Sequence, residues 1–215
     1  MEPSWLHGLL EKLALVIVLI LSLSFHEWAH ALSAALLGDD TAKRLGRLTL
    51  NPISHIDLVG TLVLPLIGVP FGWAKPVPVN PARFTSKLGM STGMMITAAA
   101  GPFANLVLAL CCVLLLTLIQ RFAGEQPALM QLLEVGFFTN VALAVFNMLP
   151  VTPLDGSRVA EGLMPSRMRP TWERFARFGP LLLIVILLNS EMRSHVLNWP
   201  IHKVADGLLY MVQLL

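Results

Sequence analysis

Long apolar segments separated by short polar ones dominate the sequence. Three of them, about 9–37, 91–120 and 128–148, are long enough to cross a bilayer as helices, since roughly 20 apolar residues suffice. A fourth, 180–188, reaches that length only together with the amphipathic turns of 172–178 that precede it. The pattern therefore predicts three membrane-spanning helices and a fourth, C-terminal apolar helix.

The chain between the first two long helices has a different pattern. Apolar and polar residues alternate over 41–51, which predicts a short β-strand. The apolar run 56–73 is interrupted by glycines and prolines, which favours a re-entrant segment packed on protein over a spanning helix. Alternating prolines in 72–80 exclude a helix and predict an extended edge strand or a loop. The amphipathic tail 201–215 is expected at the membrane interface.

Composition supports the same class of protein. Of the 215 residues, 55% are hydrophobic and only 13% are charged, which is typical of an integral membrane protein and not of a soluble domain. The N-terminus lacks the basic region of a cleavable signal peptide, so none is expected. Lys and Arg form no dense run, which argues against a nucleic-acid partner. Cys111 and Cys112 are neighbours in an apolar helix, so a disulfide framework is excluded.

The basic residues fall into two groups, one before the second long helix and one after the third, and only Arg121 lies between those two helices. If 56–73 is re-entrant, both groups face the same side, which the positive-inside rule predicts to be the cytosol. The first group is Lys43, Arg44, Arg47, Lys75, Arg83 and Lys87, and the second is Arg158, Arg167, Arg169, Arg174 and Arg177.

The first long helix contains two histidines and a glutamate in its cytosol-facing half. His26 and His30 are four residues apart, so they lie one turn apart on the same helix face and can bind one metal ion. Glu27 beside them can accept a proton from a bound water. The alternative is a buried polar pair, which costs several kcal/mol in a membrane if it is left unpaired.

Residues 147–156 include the end of the third helix and the chain just after it, on the same predicted side. Asp155, followed by Gly156, can supply the third ligand that two histidines lack, since hydrolytic zinc sites keep three protein ligands and one open position. The alternative for Asp155 is an ordinary turn residue in a Leu-Asp-Gly sequence.

Together these motifs resemble the site-2 proteases, the intramembrane zinc metalloproteases, and within them the compact prokaryotic branch that lacks PDZ and CBS domains. The resemblance covers about 13–158. Its motifs are His26-Glu27-x-x-His30, Gly101-Pro-x-x-Asn105, Asn147-x-x-Pro-x-x-Pro-Leu-Asp155-Gly156, Asn51-Pro-x-x-His55-Ile-Asp57 and Gly72-Trp-Ala-Lys-Pro-Val-Pro-Val-Asn-Pro81.

The resemblance implies roles for five residues. His26, His30 and Asp155 would bind one Zn²⁺ ion per chain, Glu27 would be the catalytic base, and Asn147 would lie near the scissile carbonyl. These residues would hydrolyse peptide bonds within or near a transmembrane segment of a substrate protein.

One departure from the family pattern is Ser157, where the family usually has a second glycine. Three further polar residues in or near the core, Asn105, Asn140 and His55, are interpreted as structural: the asparagines as interhelical hydrogen-bond partners, and His55 as a supporting residue and not a ligand.

The resulting prediction is an all-α polytopic membrane protein with a three-helix catalytic core, a fourth C-terminal helix, and a short β or re-entrant segment between the first two helices. A single domain, 1–215, would contain the core (about 9–158) and a C-terminal helical region (about 159–215). It would reside in a prokaryotic cell (inner) membrane, its partners the lipid bilayer and a transmembrane substrate, with the active site towards the cytosol. Two alternatives remain: a non-proteolytic metal-binding protein or transporter, and a scaffold that binds clients without cutting them.

Overall fold

The computed structural model describes residues 4–67, 72–85, 87–122, 124 and 126–214, and every regular element among them is helical. Among the described residues, three helices are long and apolar enough to span a membrane: α1 (Ser4–Leu36, with its candidate span from Gly8), α4 (Met90–Phe122) and α5 (Pro127–Asn147). A fourth span is possible if α8 (Gly179–Leu188) and the residues Ser190–Gln213 count as one segment, bent by 96°. The predicted all-α polytopic fold is confirmed.

The remaining elements are short. They are α2 (Thr41–Arg44), α3 (Leu64–Leu66), α6 (Asp155–Leu163), α7 (Arg169–Ala176), α9 (Ser190–Arg193) and α10 (Trp199–Gln213), with π-helical stretches at Leu58–Val63 and Ser194–Asn198 and 3₁₀ turns at Pro52–Ser54, Pro81–Arg83 and Ser166–Met168.

Helix α4 is the centre of the bundle, because it packs against α1, α5, α6 and α10. Its buried face contains small residues, including Ala98, Gly101 and Ala104, which allow the neighbouring backbones to approach closely. Ala205 and Val212 of α10 are buried in the apolar cluster between α4 and α5. The C-terminal tail, expected at the membrane interface, is therefore part of the helical bundle.

The prediction of a β-strand over 41–51 is wrong, because this stretch begins with helix α2. Gly46, at φ 67°, ends that helix in a left-handed turn. The N–H of Gly46 donates to Lys43 O, and the N–H of Arg47 donates to Ala42 O. These two bonds form the Schellman motif that closes many helices. The apolar-polar alternation thus reflects a capped helix followed by irregular chain.

The segment predicted to be re-entrant turns back on itself. Its helical part, from Leu58 to Leu66, has at most about half the length needed to cross the hydrocarbon core. After residues 68–71, a part of this prediction that lies outside the described residues, Trp73 donates its N–H to Gly60 O at 3.3 Å and accepts from the Thr61 hydroxyl at 2.8 Å. The chain therefore returns to the point where the segment begins.

The proline-containing segment 72–80 is not helical, as its prolines predict. Four of its N–H groups donate to the protein: Trp73 to Gly60 O, Lys75 to His55 O, Val77 to Glu27 Oε2 and Asn80 to Asp39 Oδ2. Alternate N–H groups at 73, 75 and 77 face the same body of protein, as along a β-strand. The segment is thus attached along its length without belonging to a sheet among the described residues.

Asp39, just after α1, fixes the far end of this segment. Its buried carboxylate accepts hydrogen bonds from the N–H and hydroxyl of Thr41 and, at 2.6 Å, from Asn80 N. Burial by itself raises the pKa of Asp39. The hydrogen bonds have the opposite and larger combined effect, so the pKa of Asp39 lies below its usual range. The carboxylate is therefore ionised at neutral pH.

Candidate metal centre

Three potential metal ligands from distant parts of the chain converge in the core. Helix α1 places His26 and His30 one turn apart, and Asp155 lies at the first position of α6. The two Nε2 atoms are 3.0 Å apart, and Asp155 Oδ2 lies 3.1 Å from that of His26 and 3.3 Å from that of His30. Both imidazoles are buried and the carboxylate is partly buried. The predicted ligand residues therefore form one cluster.

The hydrogen bond of each Nδ1 atom fixes the tautomer of its ring. His30 Nδ1 lies 2.7 Å from Thr97 O, which can only accept, so this nitrogen has the proton and Nε2 has a lone pair. His26 Nδ1 lies 2.6 Å from Asn105 Oδ1. The orientation of the Asn105 amide is fixed by its nitrogen, which donates to Ser22 O at 3.3 Å. The atom that faces His26 is therefore the amide oxygen, which can only accept, so His26 Nδ1 has the proton. Both Nε2 atoms therefore present lone pairs to the centre of the cluster.

The Asn105 amide is in turn held by a second asparagine. Its nitrogen donates to Asn140 Oδ1 at 2.9 Å, and the Asn140 nitrogen donates to Gly136 O at 2.8 Å. The interpretation of these asparagines as interhelical partners is confirmed, since they link α1, α4 and α5. The same chain of bonds also orients His26, a role that the sequence did not reveal.

The cluster has the chemistry and spacing of a cation site. Two imidazole lone pairs and a carboxylate at this distance repel one another unless a positive charge lies between them. With metal–ligand bonds of about 2.0–2.1 Å, a tetrahedral zinc ion places its donors about 3.3 Å apart, close to the separations observed. The residues present therefore fit zinc.

Two glycines allow the backbone to approach this cluster. A Cβ on Gly101 would lie 2.5 Å from His30 Nε2 and 2.7 Å from His26 Cε1. A Cβ on Gly156 would lie 2.3 Å from Met148 O, so only glycine fits after Asp155. Ser157 is buried, with its hydroxyl donating to Leu154 O at 2.7 Å. The departure from a second glycine is therefore accommodated within α6.

Glu27 and Asn147 line the same cavity, of about 590 Å³, as the three potential ligands. Glu27 Oε2 accepts the Val77 N–H at 2.8 Å, which fixes one carboxylate oxygen. Asn147 donates one amide hydrogen to Leu143 O, in its own helix, at 3.0 Å. Its second amide hydrogen has no partner among the described residues. Ala74, Val77 and Val79 of the segment 72–80 also line the cavity.

His55 is not part of the cluster among the described residues, as the sequence interpretation holds. It is 1% exposed, and its Nε2 lies 2.8 Å from Thr49 O.

The sequence did not reveal that Thr97, Val77 or Arg47 contributes to the site. Thr97 and Val77 act through backbone atoms, and Arg47 contacts the segment 72–80, so no side-chain motif marks them.

Comparison with known proteins gives a consistent set of relatives. The family model described as Peptidase family M50 matches residues 122–189. "Putative zinc metalloprotease YwhC" of Bacillus subtilis is 41% identical over 191 residues, which cover 86% of this chain and 84% of that protein. "Putative zinc metalloprotease Rip2" of Mycolicibacterium smegmatis is 31% identical over 175 residues, 80% of this chain and 66% of that protein. Rip2 of Mycobacterium tuberculosis is 28% identical over 182 residues. No solved structure matches.

Proposed function

The chain belongs to peptidase family M50, the site-2 protease family, and from this premise we propose that it is an intramembrane zinc endopeptidase acting on transmembrane segments of other proteins. Zinc metalloprotease activity is what the names of its relatives indicate. The observation that most supports the proposal is the convergence of His26, His30 and Asp155 in one cavity with Glu27.

The proposed mechanism assigns separate tasks to the residues of the cavity. His26, His30 and Asp155 would hold one zinc ion per chain, and that ion would supply Lewis-acid chemistry towards a water and the scissile carbonyl. Glu27 takes the proton of the attacking water and returns it to the leaving amine. Because Val77 N–H fixes Oε2, the other carboxylate oxygen remains for this transfer. Asn147 donates its second amide hydrogen to the developing oxyanion.

The substrate must present an extended backbone to this cavity, because a helix hides its carbonyl groups in intrahelical bonds. The segment 72–80 can hold such a backbone by strand addition. Its N–H groups at 73, 75 and 77 are already bonded to the protein, whereas the carbonyls of Ala74 and Pro78 have no partner among the described residues. Pro76 and Pro78 have no N–H to offer. The free edge therefore offers mainly acceptors, and a substrate would pair through its own N–H groups.

Localisation in a prokaryotic cell membrane, with the active site towards the cytosol, completes the proposal. The two basic groups of residues lie on the side where α1 ends and α4 and α6 begin, and Arg169 of the second group contacts Ser91 at the start of α4 at 2.8 Å. Positive residues favour the cytosolic side. Labelling of single cysteines with an impermeant reagent tests this: positions 83 and 126 should react from opposite sides, and reaction of both from one side would contradict it.

The experiment that tests the function is cut-site mapping in a bilayer. Purified protein and a model substrate with one transmembrane segment are reconstituted in vesicles, and the products are identified by mass spectrometry. We expect cleavage within or next to the apolar segment. Cleavage confined to soluble loops would refute intramembrane action. Zinc flux across the same vesicles without any cleavage would favour the alternative of a metal transporter.

A further inference from the structure

Arg47 is a buried cation without an acidic partner. Its side chain belongs to a residue that is 9% exposed, and Nη2 donates to Lys75 O at 2.5 Å and to Pro76 O at 3.4 Å. No carboxylate forms an ion pair with it among the described residues, and its buried Nε has no hydrogen-bond partner there. A buried, unpaired charge is costly to the folded state. The burial of Arg47 is therefore offset by these two carbonyl contacts and not by an ion pair among the described residues.

The second of these carbonyls, that of Pro76, belongs to the same peptide group as the N–H that Glu27 accepts. Pro76 C=O and Val77 N–H belong to one planar trans peptide, in which they point in opposite directions. The Arg47 guanidinium lies at the carbonyl end of this peptide, and Glu27 Oε2 lies at its N–H end, 2.8 Å from Val77 N. Arg47 thus binds the backbone immediately before Val77, closely at Lys75 O and more loosely at Pro76 O, while Glu27 binds the Val77 N–H.

The chain on either side of this peptide is attached by other residues. Lys75 N donates to His55 O at 2.9 Å, and Asn80 N donates to Asp39 Oδ2 at 2.6 Å. Loss of Arg47 would therefore leave the segment in place and release mainly the orientation of the Pro76–Val77 peptide.

We propose that Arg47 is a positioning residue for Glu27, acting through the Pro76–Val77 peptide. By fixing the carbonyl end of the peptide, Arg47 aims the Val77 N–H at Glu27 Oε2 and holds the carboxylate in one orientation beside the metal cluster. The role in catalysis rests on the proposed function, but the structural link between Arg47 and the Val77 N–H does not.

The link is tested first without any catalysis, by hydrogen exchange. The Val77 amide is read by fragmenting a longer peptide that begins at residue 72, because the amides of the first two residues of a peptide lose their label. Residues 76 and 78 are prolines without an N–H, so the Val77 amide has no exchanging amide directly on either side. In Arg47→Gln this amide should exchange at least about 10-fold faster than in the wild type, since the peptide that contains it is no longer held on its carbonyl side. Arg44→Gln, which removes an exposed ion pair with Asp40 nearby, is the control and should leave it unchanged.

Kinetics then separates positioning from a general structural role. Misplacing a catalytic group by about 1 Å can cost about 100-fold, so Arg47→Gln should lower kcat by about 10- to 100-fold while KM and zinc content stay within about 2-fold of the wild type. Arg47→Lys, which keeps a positive donor, should recover part of the loss. In a Glu27→Asp background, where the shorter carboxylate no longer reaches the Val77 N–H, Arg47→Gln should have little further effect.

The outcomes decide between the possibilities. Unchanged Val77 exchange in folded Arg47→Gln overturns the proposal, as does a loss that appears in KM alone or equally in both Glu27 backgrounds. If Arg47→Gln does not fold, the same criteria apply to Arg47→Met, which keeps an aliphatic side chain in place of the buried stem and removes every donor. A wild type that cuts no substrate refutes the proposed function, and the exchange measurement still decides whether Arg47 orients the Val77 N–H.

Discussion

Gly101→Ala should damage the metal centre although it replaces none of the proposed ligands. The added Cβ would lie 2.5 Å from His30 Nε2, 2.6 Å from His30 Cε1 and 2.7 Å from His26 Cε1. Carbon atoms in contact prefer separations of about 3.5–4.0 Å, so the imidazoles must move away by roughly 1 Å. Helix α4 cannot easily move instead, because it packs against four other helices.

A displacement of this size is large for a metal site. Functional metal–ligand distances lie within about 0.2 Å of their ideal values, so a shift of about 1 Å removes at least one histidine from the ion. Disturbing groups that merely orient the ligands already costs about 10- to 100-fold in metal affinity. We therefore expect Gly101→Ala to bind zinc at least about 100-fold more weakly than the wild type.

Zinc affinity is measured by competition with a chelator of known affinity, on protein whose folding is checked by its unfolding midpoint. Gly207→Ala is the matched control, because it is the same substitution in helix α10, where an added Cβ meets nothing within 4 Å. This control should bind zinc like the wild type. Wild-type affinity in folded Gly101→Ala would refute the packing of α4 against the two histidines.

Three further predictions concern neighbouring residues. Asn105→Ala removes the acceptor of His26 Nδ1 and should weaken zinc binding by about 10- to 100-fold in the same competition assay; unchanged affinity would show that this bond does not orient the ring. Asp155→Ala should purify depleted of zinc, whereas Asn147→Ala should keep zinc and turn over about 100- to 1000-fold more slowly; the reverse pattern would exchange their roles. Because folding lowers the pKa of Asp39, its carboxylate stabilises the protein at pH values above its unfolded pKa, and this contribution is lost as the pH falls through the folded pKa. The unfolding midpoint of Asp39→Asn should therefore depend less on pH in the acid range than that of the wild type, and parallel acid limbs would contradict this.

Elements that depend on local sequence could be predicted. The long helices follow from apolar runs, and the end of α1 follows from Gly38, which adopts φ 108° there. His26 and His30 could be paired because four residues of one helix fix their separation. The strand over 41–51 was mispredicted because a short alternation looks the same in a strand and in a helix closed by Gly46.

Contributions that depend on the path of the chain could not be predicted. Thr97 and Val77 act through a carbonyl and an N–H that every residue possesses, so their identity gives no signal. In the sequence Arg47 is one of several basic residues between the first two long helices, and only the return of the segment 72–80 brings it into contact with Lys75 and Pro76. The side-chain ligands of the site can therefore be predicted from the sequence, whereas the backbone groups that orient them cannot.

The central claim is that Glu27 performs proton transfer beside zinc held by other residues. Its most direct test measures zinc content and cleavage of a membrane substrate in the same preparations of wild type and Glu27→Gln. Both should contain about one zinc ion per chain, and the variant should cleave about 100- to 10,000-fold more slowly, the usual contribution of general acid–base catalysis. Cleavage by Glu27→Gln at the wild-type rate, or wild-type cleavage that persists after zinc is removed, would contradict it.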